Sequence, residues 1–132
     1  MKIAVVSDDG NTISQHFGRA QFYVVVTVEN GQVVAHETRD KLGHAHFASE
    51  PHEAHHDPRG HGFGAAAQDR HARMAATIRD CEVLLARGMG AGAYESMRQA
   101  GIRPIVTDVV SIDEAVQAYL EGRLVDHTER LH

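Results

Sequence analysis

Residues 82–107, EVLLARGMGAGAYESMRQAGIRPIVT, contain the pattern that decides the fold. A short apolar run at 82–86 precedes a glycine-rich turn at 88–92, a helical segment at 93–100 and a second apolar run at 103–107. Apolar runs of this length, bounded by Gly and Pro, are typical of buried strands. A strand, a helix and a strand in succession predict two parallel strands joined by a right-handed crossover.

The N-terminal third of the chain predicts three further strands. Residues 2–7, KIAVVS, are apolar without alternation, which is typical of a strand buried on both faces. The apolar runs at 22–28 and 32–38 flank Asn30 and Gly31, which tolerate the positive φ of a hairpin turn. These runs therefore predict an antiparallel hairpin, and its second strand is a candidate sheet edge that a partner could pair with.

Helical segments at 65–80 and 111–120 complete the order β-β-β-α-β-α-β-α. This order predicts an α/β fold with a five-stranded mixed sheet and helices on both faces. We expect a single α/β domain over residues 1–122 and a frayed polar tail at 123–132. Ligands in such sheets bind at the carboxyl ends of the parallel strands, so we expect the site at that rim.

Composition and charge exclude several classes of protein. The 132 residues include 13 Lys and Arg against 18 Asp and Glu, a net charge of −5, so we expect no nucleic-acid partner. No apolar run approaches the roughly 18 residues of a membrane-spanning helix, and the acidic N-terminal segment is unlike a signal peptide. The single cysteine cannot form an internal disulfide, so we expect a cytoplasmic protein. The sequence does not indicate an oligomeric state.

Residues 41–64 differ in composition from the rest of the chain and have no helical or strand period. We therefore expect a mobile insert that the fold does not need. It holds six of the 11 histidines: His44, His46, His52, His55, His56 and His61. Imidazoles this close together chelate divalent ions, which predicts uptake of Zn²⁺, Ni²⁺ or Cu²⁺. The alternative is a solvated loop that binds metals only opportunistically.

Four segments together resemble the dinitrogenase iron–molybdenum cofactor family, which includes cofactor-carrier proteins of nitrogenase assembly. They are IAVVSDDG at 3–10, HFGRA at 16–20, VLLARGMGAGA at 83–93 and GIRPIVTDVVSIDEAVQAYLEGRL at 101–124. The resemblance implies a ribonuclease-H-like fold and non-enzymatic binding or carriage of an iron–sulfur or molybdenum-containing cluster. It also implies partner proteins that donate and accept this cluster. The His-rich insert lies outside the shared pattern.

The resemblance identifies His16 as a cluster-binding residue, since HFG lies where the family's cluster-binding histidine lies. From chemistry alone, a neutral imidazole is a good ligand for iron, yet a surface or loop-capping histidine fits as well. The glycine turn would add backbone N–H donors at a helix N-terminus. The predicted cluster-binding set is Asp8, His16, Phe17, Gly18, Arg19, Gly88, Met89, Gly90 and Gly92.

Two other functions stay open at this point. The turn GMGAGA also matches a dinucleotide fingerprint, with Asp108 at the end of the next strand where a ribose-binding acid would lie. This pattern usually lies in a βαβ unit that begins at the first strand of a fold, and here little chain follows it, which disfavours the nucleotide-binding alternative. The His-rich insert favours the other alternative, a divalent-metal buffer or sensor.

Four more residues allow two interpretations each. Asp8 and Asp9 follow the first strand, where a ribonuclease-H-like nuclease has a metal-binding carboxylate; an Asx turn is the simpler interpretation. Cys81 is a candidate cluster ligand or a small buried residue. His71 either faces the ligand-binding rim or lies in the core.

Overall fold

The computed structural model describes residues 1–41 and 65–132. This part of the chain forms one five-stranded sheet with the strand order β3-β2-β1-β4-β5. The strands are β1 (Lys2–Ser7), β2 (Phe22–Glu29), β3 (Gln32–Asp40), β4 (Val83–Ala86) and β5 (Arg103–Val106). The α-helices are α1 (Ala65–Thr77), α2 (Ala91–Gln99) and α3 (Ile112–Leu120). The predicted α/β fold with a five-stranded mixed sheet is confirmed, whereas the ribonuclease-H-like label stays a prediction.

Strand β1 lies at the centre of the sheet and joins its antiparallel and parallel halves. It pairs antiparallel with β2 and parallel with β4, which in turn pairs parallel with β5. The side chains of Ile3, Ala4, Val5 and Val6 are fully buried, as the continuous apolar run predicted. Because β1, β4 and β5 run in the same direction, their carboxyl ends meet at one rim of the sheet.

Helices cover both faces of the sheet. Adjacent residues of a strand point to opposite faces. The Tyr23 hydroxyl of β2 donates to the Met74 carbonyl of α1 at 3.0 Å, whereas its neighbour Val24 lines a pocket together with Ile112 of α3. Helix α2 packs against α1 and therefore lies on the same face as α1.

Turn and cap residues have the backbone conformations that their types predicted. Asn30 and Gly31 have φ values of 55° and 76°, which closes the β2–β3 hairpin. Gly101 ends α2 with φ at 84°. The Ser111 hydroxyl accepts a hydrogen bond from the Glu114 backbone N–H, which caps the N-terminus of α3.

The structure changes several predicted boundaries. Helix α1 ends three residues before the predicted position 80, and β3 continues to Asp40 instead of ending at 38. Helix α2 begins at Ala91, so Gly92 belongs to the helix and not to the turn. Strand β3 is the sheet edge, with Val33 and Val34 exposed.

The prediction of a frayed tail at 123–132 is wrong. The His127 backbone N–H donates to the Val106 carbonyl at 2.7 Å, and the Asp126 carboxylate accepts from the Val106 N–H at 3.0 Å. Strand β5 is the second edge of the sheet, so its free backbone groups provide partners that a tail without apolar periodicity can use. No helix among the described residues is both long and apolar enough to span a membrane.

Candidate functional site

The loop that follows β1 is fixed by backbone hydrogen bonds to its neighbours. The Ser14 N–H donates to the Val6 carbonyl at 2.8 Å, and the Phe17 N–H donates to the Gly88 carbonyl at 2.9 Å. The His16 N–H donates to the Ser14 hydroxyl at 3.2 Å. The His16 carbonyl accepts from two N–H groups of the following 3-10 turn. The backbone of His16 is thus held on both sides, while its side chain is exposed.

Phe17 anchors this loop in the core through an unexpected partner, Lys41. The Phe17 side chain is only 1% exposed, and its ring centroid lies 6.5 Å from that of Tyr23. The Lys41 ammonium donates to the Phe17 carbonyl and lies 4.6 Å from the Phe17 ring centroid. Lys41 itself is 5% exposed, and this burial lowers the pKa of its ammonium to about 8. Lys41 therefore belongs to the folded domain and not to the predicted insert.

A cleft of about 530 Å³ opens where this loop, α1, the glycine turn and the C-terminal segment meet. It lies at the carboxyl ends of β1 and β4, the rim that the succession of strands and helices along the chain predicted. Its lining residues are His16, Phe17, Gly18, Arg19, His71, Met89, Gly90, Gly92, Ala93 and His132. None of these is an Asp or Glu, and Arg19 carries a formal positive charge. The cleft thus suits an anionic or electron-rich occupant better than a cationic one.

Seven of the nine predicted cluster-binding residues line this one cleft, and Asp8 and Gly88 do not. The Asp8 carboxylate accepts from the Gln21 N–H at 2.9 Å and so stabilises the chain before β2. Gly88 is a packing residue, since a Cβ there would overlap the Gln15 carbonyl oxygen. Two lining residues, Ala93 and His132, were not predicted. His132 is distant in sequence, and no local motif marks it.

The N-terminus of α2 is occupied by the chain itself. The Ala91 N–H donates to the backbone oxygen of His132 at 2.7 Å, and the His132 N–H donates to the Met89 carbonyl at 3.3 Å. A Cβ on Gly90 would lie 3.3 Å from the same His132 oxygen. The glycine turn therefore offers an outside ligand fewer free N–H donors than its sequence suggested.

Asp108, the acid of the nucleotide-binding alternative, also has partners within the chain. Its carboxylate lies 2.7 Å from Arg130 Nη1 and 3.1 Å from His127 Nε2. The other ring nitrogen of His127 lies 2.9 Å from a Glu129 carboxylate oxygen. The C-terminal segment is thus held at the rim by a cluster of charged groups around Asp108.

Asp9 and Cys81 have structural roles. Asp9 accepts hydrogen bonds from the N–H groups of Asn11 and Thr12, both at 2.8 Å, which lower the pKa of its carboxyl to about 2 and form the predicted Asx turn. Cys81 is 3% exposed, and burial together with nearby Asp80 raises the pKa of its thiol to about 12. A neutral, buried thiol outside the cleft is a packing residue and a poor cluster ligand.

The cleft's donors fit a polyatomic occupant better than a single ion. Within residues 1–41 and 65–132, no three His, Cys, Asp or Glu side chains come close enough to hold one metal ion. Instead, the imidazoles of His16, His71 and His132 come from three different parts of the chain. Among the residues that the structure describes, His71 Nδ1 is buried without a hydrogen-bond partner, as expected of a group that a bound molecule would satisfy.

The metal-binding prediction for the insert cannot be compared with the structure. Its six histidines lie outside the described residues, and His16 is the one predicted metal-binding residue that the structure describes. The six histidines of the insert are His44, His46, His52, His55, His56 and His61. The prediction of divalent-metal uptake therefore stays a prediction.

Comparison with known proteins reveals relatives across the whole fold. An uncharacterized protein of Methanocaldococcus jannaschii, MJ0580, is 28% identical over 124 residues, which are 94% of this chain and 89% of that protein. The crystal structure of PH0822 superposes with a TM-score of 0.64 at 23% identity, covering 98% of this chain and 96% of that one. The apo form of the orange protein from Desulfovibrio gigas superposes with a TM-score of 0.64 at 21% identity, covering 96% of this chain and 92% of that one. At these identities the two structures show a shared fold.

The family is decided by a match that covers the whole sheet and every cleft-lining residue except His132. The family model described as dinitrogenase iron-molybdenum cofactor matches residues 1–122. These include the His16 loop, the glycine turn, all five strands and all three α-helices described above. The chain belongs to the dinitrogenase iron–molybdenum cofactor family.

Proposed function

We propose that this protein binds and carries an iron–sulfur or molybdenum-containing cluster without converting it chemically. The observation that carries this proposal is the presentation of His16: its backbone is fixed by hydrogen bonds on both sides, and its side chain lines an open cleft. A ligand held on a fixed backbone binds without first ordering a loop, so less entropy is lost on binding. Membership of the family supports the nature of the cargo.

The size and lining of the cleft support a polyatomic cargo. A volume of about 530 Å³ is within the range of small-molecule sites and far larger than one metal ion needs. Imidazole nitrogens suit iron and related metals, and the guanidinium group of Arg19 suits the negative charge of sulfide-containing clusters. When bound, the cluster would supply the redox or group-carrying chemistry, and His16 would hold it in place.

The hydrogen bonds of two serine hydroxyls near the cleft favour carriage over catalysis. The Ser7 hydroxyl donates to the Thr12 carbonyl at 2.7 Å, and the Ser14 hydroxyl donates to the His16 carbonyl at 3.3 Å. Both hydroxyls thus stabilise the loop and neither is paired with a histidine base, which a serine nucleophile would require. We propose that cluster donor and acceptor proteins are its partners, in the cytoplasm.

The nucleotide-binding alternative has less support. Two of its diagnostic groups, the Ala91 N–H at the N-terminus of α2 and the Asp108 carboxylate, are engaged by His132 and Arg130. A nucleotide would have to displace these contacts before it could bind. A divalent-metal role for the insert is compatible with cluster carriage, since the cleft is formed by other residues.

The proposal is tested by anaerobic purification, a visible absorption spectrum, and analysis for Fe, Mo and sulfide. We expect charge-transfer bands and bound metal in the unaltered protein. His16→Ala should lose cluster after reconstitution while its far-UV circular dichroism is unchanged, because a substitution at an exposed side chain has little effect on stability. His36→Ala, on the exposed strand β3, is the matched control and should keep the cluster.

Two outcomes would contradict the proposal. Full cluster retention by a folded His16→Ala protein would remove His16 from the site. A colourless protein that takes up no cluster on reconstitution but binds adenine nucleotides would favour the nucleotide-binding alternative.

A further inference from the structure

His71 leaves a polar atom buried without a partner. It lies on α1 and is half-buried, and its side chain lines the cleft. Its Nδ1 atom is buried and forms no hydrogen bond with residues 1–41 or 65–132. A buried polar group without a partner destabilises the folded state, so a chain with such a group is less stable than one with an apolar side chain there. A ligand that pairs with the nitrogen would offset this loss of stability.

His127 provides a comparison with His71, because both of its ring nitrogens have partners. His127 lies partly buried at the same rim, with one nitrogen 3.1 Å from Asp108 and the other 2.9 Å from Glu129. Both ring nitrogens of His127 thus have partners, whereas Nδ1 of His71 has none in the described part of the chain. Two buried side-chain nitrogens in the described part of the chain lack a partner, Nδ1 of His71 and Nε of Arg87, and of these two residues only His71 lines the cleft.

His71 is also held rigidly and in an uncharged form. Met74, one turn further along α1, accepts a hydrogen bond from the buried Tyr23 hydroxyl at 3.0 Å, which fixes the helix on the sheet. Burial lowers the pKa of His71, and the positive charges of Arg70 and Lys41 lower it further. A neutral imidazole offers one N–H donor and one lone pair, so it can donate to a sulfide or ligate a metal.

We propose that His71 is a second binding residue of the cleft, which contacts a metal–sulfur cargo from α1 while His16 contacts it from the loop after β1. This inference rests on the proposed function and adds a residue from a separate element. Contacts from a helix and from a backbone-fixed loop would hold a polyatomic anion at two points, which a single histidine cannot do.

The test uses the full-length protein and tetrathiomolybdate, a molybdenum–sulfur anion whose visible absorption reports binding under anaerobic conditions. His71→Leu should weaken binding by about tenfold or more, the effect of losing one hydrogen bond to a charged group. The same variant, without ligand, should be as stable as the unaltered protein or more stable, because an apolar side chain replaces an unpaired nitrogen. His71→Gln, which keeps a donor and an acceptor, should recover part of the affinity.

Opposite effects on binding and stability distinguish a binding residue from a structural one. His36→Leu on β3 is the control and should change neither property. If His71→Leu lowers the unfolding midpoint of the ligand-free protein, His71 is a structural residue and the inference is wrong. If His71→Leu binds tetrathiomolybdate like the unaltered protein while His16→Ala does not, the inference fails and the proposed function stands. If the unaltered protein binds neither tetrathiomolybdate nor a reconstituted cluster, both fail.

Discussion

Replacing the buried Lys41 by methionine should change how stability depends on pH. Lys41 is 5% exposed, and burial lowers the pKa of its ammonium from 10.5 to about 8. Nearby Asp8 opposes this shift and Arg70 adds to it, but burial is the largest cause. The chain has one other lysine, Lys2, which pairs with Asp80 on the surface at 3.1 Å. Lys41 is therefore the one lysine that is charged in the interior.

The size and sign of the effect follow from these two pKa values. Each tenfold change in a proton-binding constant is worth about 1.4 kcal/mol, so the shift corresponds to about 3 kcal/mol. Between pH 8 and 10.5 the unfolded chain holds this proton more tightly than the folded chain. The contribution of Lys41 to stability therefore rises with pH through this window, is complete above it and is lost below pH 8.

Lys41→Met removes this titration while keeping an unbranched side chain of similar length. At pH 7 removal of the buried charge should stabilise the variant by about 3 kcal/mol. The Phe17 carbonyl, left without its Lys41 donor, should cost about 1–3 kcal/mol, so the variant should be as stable as the unaltered protein or more stable by up to about 2 kcal/mol. By pH 10.5 the unaltered protein should be the more stable one, because the penalty for the buried charge is then largely gone and the unpaired carbonyl remains. Cys81 is present in both proteins, so the opposite effect of its raised pKa cancels in the difference between them.

The assay is urea denaturation of both proteins from pH 7 to 10.5, followed by circular dichroism because the chain has no Trp. NMR of ¹³C-labelled lysine gives an independent measurement of the pKa of Lys41, and the resonance that disappears in Lys41→Met assigns the signal. A difference in unfolding free energy that stays constant over this pH range would refute the reasoning. So would a Lys41 resonance that titrates with the ordinary lysine pKa of 10.5.

Two further predictions concern the glycine turn and the insert. Gly88→Ala should destabilise the protein by about 1–3 kcal/mol, because its Cβ would overlap the Gln15 carbonyl; Gly18→Ala, with open space around its Cβ, is the control, and equal unfolding midpoints would contradict this. Deletion of residues 42–63, which joins Lys41 to Gly64, should keep the circular dichroism spectrum and abolish most Zn²⁺ uptake. In the unaltered protein, uptake should weaken as pH falls through about 6.5, where protons compete for imidazole. An unfolded deletion variant, or one that also fails to bind cluster, would contradict the separation of the two sites.

The fold was predictable where its signals are local. The apolar run at β1, the Asn30-Gly31 turn and the crossover around α2 each have a period or a turn residue that indicates one conformation. The cleft was largely predictable for a related reason: parallel strands bring their carboxyl ends together, so the segments HFGR and GMGAG meet once the strand order is known.

The remaining features depend on contacts between residues far apart in sequence. Lys41 stands at the start of a polar, periodless stretch, and the Phe17 carbonyl and ring that bury it come from a loop 24 residues earlier. His132 reaches the cleft because edge strand β5 has backbone groups free to pair with the C-terminal segment. Neither partner leaves a trace in the local sequence, so periodicity and turn residues could not indicate these contacts.

The C-terminal segment decides between two functions that share the same glycine turn. A phosphate would need the Ala91 N–H and a ribose would need Asp108, yet His132 and Arg130 already occupy both at 2.7 Å. The free energy needed to displace them would be subtracted from nucleotide binding. No group in the described part of the chain competes in this way for the side chains of His16 and His71. His16 forms hydrogen bonds there only through its backbone, and Nδ1 of His71 forms none. The same cleft thus disfavours a ligand recognised by the turn and favours one recognised by imidazoles, as a metal–sulfur cluster would be.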